Sequence, residues 1–289
     1  SILKNDGVIL SKLSKDSWTI SGNAEMKLKE KIERIGTPLK DWDIKISYGI
    51  RTGFNEAFII DGKKKDELIA ADPKSAEIIK PILRGRDIKR YKAEFADLWI
   101  IVVKKNFANE FMNKYHVLYN YVKNFENELK NRGQVKNGSH HWIEIDNSPT
   151  DAYLEEFEKE KIVWNRIASI KLFSLVKEPF LIQDSMHFIT GSDLNFISSI
   201  LNSTLYVWLM NLIIGKAVGG NAGNSDNVRK LPIPKISEEA QQPFIEKVNQ
   251  ILSAKERGED TCDLEREIDA MVYQLYELTA EEIAIVEGK

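Results

Sequence analysis

The 289-residue sequence predicts a mixed α/β (α+β) fold, a mixed twisted sheet with flanking helices, that ends in an antiparallel pair of helices. Short apolar or alternating segments typical of strands are interleaved with segments of helical spacing, and no repeat occurs at a fixed period. The composition also changes near residue 236, because residues 237–289 carry 14 acidic and 5 basic side chains, whereas residues 1–236 carry 30 acidic and 36 basic ones. The net charge of −3 therefore hides a mildly basic main part before an acidic tail.

The first elements are a helix and a pair of strands. Asn23–Ile35 has apolar residues at helical spacing and is followed by a glycine, which is a helix stop signal. Ile44–Tyr48 alternates apolar and polar residues, and Ala57–Ile60 is apolar. The glycine-bounded segment between these two runs predicts that they form a strand pair.

The middle of the chain alternates between helices and strands. A helix is predicted to start at Asp72 and to end before Pro81, and Leu98–Val103 is the apolar run of a central strand. Phe107–Arg132 has the spacing of one long amphipathic helix. Three short strands and a further helical segment follow: Ile162–Trp164, Phe173–Val176, Met186–Ile189 and then Leu194–Ile213.

A domain boundary is predicted at the extended, proline-rich segment Leu231–Pro234. We interpret residues 1–23 as the remnant of a connection to a missing N-terminal domain, residues 24–236 as the main domain and residues 237–289 as an acidic helical tail. The tail carries two amphipathic stripes separated by a glycine, which predict the helical pair. Their apolar residues are Phe244, Val248, Ile251 and Leu252, and then Leu264, Ile268, Met271, Val272 and Leu275, before a capped last helix that starts with Thr279 and Glu282.

The composition excludes several classes of protein. The single cysteine, Cys262, excludes an intrachain disulfide and a metal site made of several thiolates. The longest apolar stretch, Phe196–Ile214, is interrupted by polar residues, which favours a buried helix over a membrane span. We therefore expect a cytoplasmic protein with no membrane partner. Because the chain begins at Ser1 without a start methionine, we expect it to be a fragment of something longer.

The sequence offers no convincing catalytic motif. Neither of the glycine-rich phosphate-binding patterns is present. Asp72 with the acid-x-Lys triplet Asp87–Lys89 resembles a nuclease metal site, but similar triplets recur elsewhere in this charged sequence. His140 and His141 have no Cys or His near them in sequence, so they are interpreted as a surface or base-contacting pair. We expect no catalytic residue, metal or cofactor in this chain.

Three basic stretches favour binding to an anionic polymer. Residues 129–143 contain no acid and interleave basic with amide and hydroxyl side chains, and residues 84–92 set five bases against one acid. Residues 215–224 are rich in glycine and precede Arg229 and Lys230. Arg, Lys, Asn, Gln and Ser side chains match the donors and acceptors of phosphates and base edges.

Several motifs, in a fixed order, carry a family resemblance. They are Gly49-Ile50-Arg51-Thr52-Gly53-Phe54-Asn55-Glu56-Ala57-Phe58, Lys80–Tyr91 with Leu83-Arg84-Gly85-Arg86-Asp87-Ile88-Lys89-Arg90-Tyr91, Phe157–Trp164, Ile200–Ser203, Leu231–Pro234 and Val272–Thr279. With these motifs the chain resembles the TaqI-like C-terminal specificity domain, or target-recognition domain, of adenine-N6 DNA methyltransferases and type II restriction-modification enzymes.

The resemblance implies a division of labour between this chain and a neighbouring domain. In the family an N-terminal methyltransferase domain binds S-adenosylmethionine and takes a flipped adenine into a pocket with an Asn-Pro-Pro-Tyr-like motif. Residues 147–150 (Asn-Ser-Pro-Thr) lack the second proline and the aromatic residue of that motif. The expected partners are therefore double-stranded DNA and the methyltransferase domain of the same protein, with S-adenosylmethionine bound in that missing domain and not here.

The predicted DNA-binding residues come from the basic stretches and from the first motif. Those expected to read bases are Gln134, Asn137, Ser139, His140 and His141. Those expected to contact phosphates are Arg51, Arg84, Arg86, Arg90, Arg132, Lys136, Lys216 and Arg229, and Thr52, Asn55 and Asn221 complete the predicted DNA-binding set.

Two alternatives remain open at this stage. The specificity subunit of a Type I restriction system is similar, but such a subunit pairs two recognition domains with two helical spacers, and one of each is found here. The second alternative is a protein-interaction module in which the acidic helical tail docks a partner and the basic loops are solvated surface.

Overall fold

Alternating helices and short strands build this fold, in the order α1 to α14 and β1 to β10, which confirms the predicted mixed α/β class. The computed structural model describes residues 23–146, 149–167, 172–214 and 225–289. The helices are α1 Asn23–Ile35, α2 Asn55–Phe58, α3 Gly62–Ala71, α4 Ala108–Lys114, α5 His116–Lys123, α6 Glu126–Lys130, α7 Gly133–Lys136, α8 Asp151–Leu154, α9 Leu194–Leu201, α10 Thr204–Ile214, α11 Ser225–Val228, α12 Glu238–Glu256, α13 Cys262–Leu275 and α14 Ala280–Glu287. The strands are β1 Thr37–Pro38, β2 Ile44–Tyr48, β3 Ile59–Asp61, β4 Ile79–Leu83, β5 Leu98–Ile101, β6 Lys161–Asn165, β7 Phe173–Val176, β8 Leu181–Ile182, β9 Met186–Gly191 and β10 Pro232–Ile233.

The strands form two four-stranded sheets and one short two-stranded pair. The first sheet has the order β2-β9-β6-β7, and all its pairs are antiparallel. The second has the order β3-β5-β4-β8, with β4 and β8 parallel. Strand β1 pairs with β10, so the segment before the acidic tail returns to the start of the described chain.

The first sheet lies between two hydrophobic cores. Ile162 and Trp164 of β6 belong to one core, whereas Val163 between them belongs to the other. On β9, Ile189 and Phe188 divide in the same way. Because successive side chains of a strand point to opposite faces, the strands of a sheet covered on both faces are buried along their length, as β6 and β9 are except at their last residues.

The acidic tail is packed against the main domain. Phe244, Val248 and Ile251 of α12, with Ile268 and Val272 of α13, belong to the first core, together with residues of α1, α9 and α10. The predicted helical pair and the capping box of α14 are both present. The composition changes at residue 237, where the boundary was predicted. Residues on both sides of this position nevertheless belong to the same hydrophobic core.

The predicted long helix over Phe107–Arg132 is wrong, because the segment forms three short helices and a fourth follows it. The backbone leaves the helical region at Tyr115 (φ −113°, ψ 58°) and at Phe125 (φ −107°, ψ 18°). At the first break, the Tyr115 hydroxyl donates a hydrogen bond to Glu77, 2.7 Å away, at the end of the 3₁₀ turn that precedes β4. Short helices that change direction can bring Phe111, Leu118 and Leu129 into the same core.

The predicted pairing of Ile44–Tyr48 with Ala57–Ile60 is also wrong. Strand β2 pairs with β9, and β3 pairs with β5 of the other sheet, because Asn55–Phe58 between them forms the helical turn α2. The helix predicted from Asp72 is a single 3₁₀ turn over Pro73–Glu77, and the chain then enters strand β4. Pro81 is tolerated within β4 because β8 pairs only with the two residues that follow it.

The remaining predicted elements are present. Helix α1 and strand β2 have the predicted bounds, and the runs at residues 98–103, 162–164, 173–176 and 186–189 form β5, β6, β7 and β9. Strand β5 lies between β3 and β4, as expected of a central strand. The helical segment Leu194–Ile213 is divided at Asn202, whose side-chain amide exchanges two hydrogen bonds with the backbone of Phe173.

Candidate nucleic-acid interface

The sequence motifs meet at one end of the first sheet. Strand β2 ends there at Tyr48, β6 ends at Asn165, and β9 begins at Met186. The turn at Gly85 lies against Asn165 and Ser185. We call this region the motif end, and it consists of Tyr48–Arg51, Gly85-Arg86, Asn165–Ile167 and Ser185–His187.

Three motif glycines allow these segments to approach one another. A Cβ at Gly49 would lie 2.0 Å from the carbonyl oxygen of Gln183, and one at Gly85 would lie 2.2 Å from Nδ2 of Asn165. Gly53 has φ +77° and lies against the Asp146 carboxylate, where a Cβ would be 2.5 Å from Cγ. The motif glycines are therefore required by packing, whatever the segment binds.

Arg132 is a buried structural residue. Its Nε donates to the carbonyl of Leu129, Nη1 donates to the Thr52 carbonyl at 2.8 Å and to Oδ1 of Asp146 at 2.9 Å, and Nη2 donates to the carbonyls of Trp142 and Glu144. These bonds use all five N–H groups of the guanidinium. The phosphate contact predicted for Arg132 is therefore corrected, because only 8% of the residue is exposed and every donor is already used.

The same carboxylate organises the neighbouring loop. Asp146 accepts from Arg132, lies 3.2 Å from Nε2 of His140 and is 3.9 Å from Nε of Arg51. The side chain of His140 is 1% exposed, so the base contact predicted for it is also corrected. Thr52 is buried as well, and its hydroxyl donates to Oδ1 of the exposed Asn55 at 2.6 Å.

Two further arginines predicted to contact phosphates are paired within the chain. Arg84 makes two side-chain hydrogen bonds to the buried Asp87. Arg90 forms a 2.7 Å ion pair with Glu265 of α13 and donates to the carbonyl of Asn202. The guanidinium of Arg90 thus joins the second basic stretch to the helical tail, and its intrachain role is the better supported one.

Other predicted residues are available to a ligand. Arg86, Lys136 and Arg229 are exposed, and their side chains have no ion-pair or hydrogen-bond partner in the described part of the chain. Arg51 is 56% exposed and has only the distant contact with Asp146. Lys216 and Asn221, which were also predicted, lie outside the described residues.

The loop from Gly133 to His141 presents most of the predicted base-reading side chains. Asn137 and Ser139 are exposed and hydrogen-bond each other, while Gln134 is half-buried. His141 is exposed, although burial of its ring lowers its pKa and Nδ1 accepts from the Ile143 amide. The arrangement is a polar loop without acids, anchored at its base by Arg132 and Asp146.

Sequence reasoning missed three residues of the motif end. Tyr48 is 51% exposed and Ile167 is 53% exposed. His187 lies beside Tyr48 and is 4% exposed, and its Nδ1 has no hydrogen-bond partner within the described residues. Burial, followed by the positive charges of Arg166 and Arg229, lowers the pKa of His187 to about 4. The sequence signal for Tyr48 is its position directly before the first motif.

The described residues contain neither a cluster of metal ligands nor a helix that could span a membrane. Within residues 23–146, 149–167, 172–214 and 225–289, no group of three or more His, Cys, Asp or Glu side chains is arranged to hold a metal ion. None of the helices in these ranges is both long and apolar enough to cross a membrane.

Comparison with known proteins identifies the family. Type II methyltransferase M.MjaIV of Methanocaldococcus jannaschii is 24% identical over 238 residues, which cover 79% of this chain and 77% of that protein. The type IIL restriction-modification enzyme MmeI, solved in complex with DNA, has a TM-score of 0.60 at 13% identity over 87% of this chain and 36% of its own. For the type IIG restriction endonuclease BpuSI the TM-score is 0.49 at 15% identity, over 89% of this chain and 34% of that one.

A match to one protein family decides the assignment. The chain spans about a third of the length of MmeI, and at 13% identity that comparison shows a shared fold. Residues 80–233, more than half of the chain, match the TaqI-like C-terminal specificity domain. The chain therefore belongs to the TaqI-like C-terminal specificity domain family, the target-recognition domains of restriction-modification enzymes.

Proposed function

We propose that this chain selects the double-stranded DNA site at which a restriction-modification methyltransferase modifies the N6 position of adenine. In this proposal the chain binds one side of the duplex, and a methyltransferase domain outside these 289 residues binds S-adenosylmethionine and transfers the methyl group. The chain supplies no catalytic side chain, and the protein works in the cytoplasm, where its DNA is.

The observation that carries this proposal is the anchored polar loop beside the motif end. Exposed Lys136, Asn137 and Ser139 lie on a loop whose base is fixed by the buried Arg132 and Asp146. Side chains that are held in place before binding lose less conformational entropy when they meet a ligand. Amide and hydroxyl groups suit base edges, and lysine suits phosphate, so the loop combines both kinds of contact.

Exposed cations extend this surface. Arg51, Arg86 and Arg229 are exposed around the motif end, whereas Arg84, Arg90 and Arg132 are used for internal contacts. Contacts between cationic side chains and DNA phosphates provide affinity and position the protein on the duplex, but they carry no sequence information. The available cations therefore supply the phosphate contacts, and the loop supplies the base contacts.

The competing protein-interaction function is less well supported. A tail that docked a partner through its apolar stripes would leave those stripes unpartnered in the free chain. Instead, Phe244, Val248, Ile251, Ile268 and Val272 are buried in the chain's own first core. The tail's main apolar surface is thus already occupied.

Salt-dependent DNA binding tests the proposal. The full-length protein that contains this chain should first be used to select a consensus from duplexes with a randomised centre. Its affinity for that duplex should then fall steeply with salt, with a logarithmic slope of about −0.9 for each phosphate contacted. Substituting both Arg51 and Lys136 by glutamine removes two phosphate contacts and should make this slope less negative by about 2.

The matched control is Lys74→Gln. Lys74 is exposed in the turn before β4, at the opposite end of that strand from Arg84 and the motif end. This control variant should keep the slope of the unsubstituted protein. A protein that selects no consensus and binds every duplex alike would refute the proposed function.

A further inference from the structure

Two large apolar side chains are exposed together at the motif end. Tyr48 is 51% exposed and Ile167 is 53% exposed, and within the described residues the other large hydrophobic residue of this kind is Phe95, at 39%. Exposing an apolar side chain forgoes the stabilisation that its burial provides, so two such side chains at one end of a sheet are informative.

The sheet register places the two residues at the same end of the first sheet. Tyr48 of β2 and Trp164 of β6 both pair with His187 of β9, one on each side. Two strand spacings separate β2 from β6, or about 10 Å. Ile167 follows Trp164 by three residues and lies two residues beyond the end of β6. Both apolar residues therefore lie at the same end of the sheet.

Tyr48 is held rigidly although half of it is exposed. Its ring meets the His187 ring edge to face, with centroids 4.7 Å apart, and His187 in turn contacts the ring of Trp164 at 5.5 Å. The Tyr48 hydroxyl lies 3.4 Å from Oγ of Ser225. The hydroxyl of Tyr153 accepts from the Tyr48 amide and donates to the Tyr48 carbonyl. An aromatic ring fixed in this way can contact a ligand without a large ordering cost.

The charge around the pair identifies the kind of ligand. Arg51 and Arg86 belong to the motif end and are exposed, as is Arg229, and Arg166 and Arg229 are near enough to act on His187. The exposed Asp226 offsets part of this charge. A rigid aromatic and an aliphatic side chain at the same end of a sheet as several arginines fit bases flanked by phosphates.

We propose that Tyr48 and Ile167 contact DNA bases directly, as an apolar wedge placed against a base step, and that they determine specificity at that step. The inference rests on the proposed function and adds to it a pair of residues outside the basic loops. Side chains of this kind partly unstack a base step, so flexible steps are preferred over stiff ones.

Substitutions at the two positions test the inference. In the full-length protein, Tyr48→Ala and Ile167→Ala should each weaken binding to the selected duplex, and loss of an aromatic contact to a base corresponds to about 5- to 150-fold for Tyr48. Tyr48→Phe keeps the ring and should retain most of the affinity. The salt slope should stay unchanged in all three variants, because no phosphate contact is removed.

The control is Phe95→Ala, and a fluorescent base gives the second readout. Phe95 is exposed at the opposite end of β7 from the motif end, beside Val176 and Phe180, so its replacement should leave DNA binding unchanged. With 2-aminopurine placed in turn through the selected duplex, the unsubstituted protein should raise the fluorescence at one step, and Tyr48→Ala should abolish that rise.

The outcomes separate the two proposals. If a consensus is selected but Tyr48→Ala and Ile167→Ala bind it as tightly as the unsubstituted protein, the wedge is refuted and the proposed function stands. If these variants instead lose only their association with the methyltransferase domain, the surface is a protein contact and the wedge is again refuted. If no consensus is selected at all, both proposals fail.

Discussion

Replacing Arg132 by methionine should cost about 3–5 kcal/mol of the free energy of unfolding. The guanidinium forms a 2.9 Å ion pair with Asp146, and these side chains are 5% and 7% exposed. Its other donors satisfy the carbonyls of Leu129, Thr52, Trp142 and Glu144. Removing one partner of a buried pair leaves an uncompensated charge, and breaking such pairs has costs of about this size.

Urea-induced unfolding measures this loss, and two further variants identify its source. Arg132→Lys keeps the charge but has three N–H donors in place of five, so its loss should be smaller than that of Arg132→Met. In a double-mutant cycle, adding Asp146→Asn to Arg132→Met should cost less than the sum of the two single changes. A loss below about 1 kcal/mol for Arg132→Met, the range of an exposed pair, would refute the assignment.

Three further predictions concern pH and the tail. The pKa of His187 is lowered to about 4, so as the pH falls the unfolded state takes up a proton on this residue before the folded state does. Up to about 3 kcal/mol of stability should therefore be lost between pH 6.5 and 4. Urea titrations measure this loss, and His187→Asn should flatten its pH dependence. Burial lowers the pKa of Lys161 to about 8, so the folded state loses this proton at a lower pH than the unfolded state. Stability should therefore rise by up to about 3 kcal/mol between pH 8 and 10.5. An equal rise in the Lys161→Met variant would contradict this. Arg90→Ala should lower stability by about 1 kcal/mol and increase hydrogen exchange in α13, and unchanged exchange there would contradict the contact with Glu265.

Local signals in the sequence predict local structure well. Helix α1 ends where its glycine stop signal places it, and the capping box at Thr279 starts α14. The proline-rich segment before the tail forms β10, because each proline keeps the residue before it extended. In these elements the deciding interactions lie within a few residues of one another.

Pairing between distant segments is what the sequence does not reveal. The apolar pattern of β2 is equally compatible with β3 and with β9, and the choice depends on the helical turn α2 and on two cores that no single segment encodes. For the same reason the breaks in the helices around Tyr115 arise from contact with Glu77 of another element. The spacing of hydrophobic residues alone determines neither the strand pairing nor the positions of these breaks.

The same limit explains which predicted site residues were reassigned. A basic stretch in the sequence shows that an arginine is present, but it does not show which carboxylate pairs with it. The carboxylate that pairs with Arg84 is visible three residues later, whereas those of Arg132 and Arg90 lie on other elements. Ile167 carries no sequence signal of binding and Tyr48 carries only its position before the first motif, because an apolar residue at a strand end normally indicates burial.

The separation of anchoring from exposed residues has a consequence for specificity. Lys136, Asn137 and Ser139 are exposed, and the hydrogen bonds of Asn137 and Ser139 stay within the loop, so their replacement should change stability by about 0.5 kcal/mol or less. Arg132 and Asp146, which fix the base of that loop, lie beneath it and should not tolerate replacement. Sequence preference can then be altered at the exposed positions while the fold is retained, because the groups that hold the loop are not those that would meet the bases.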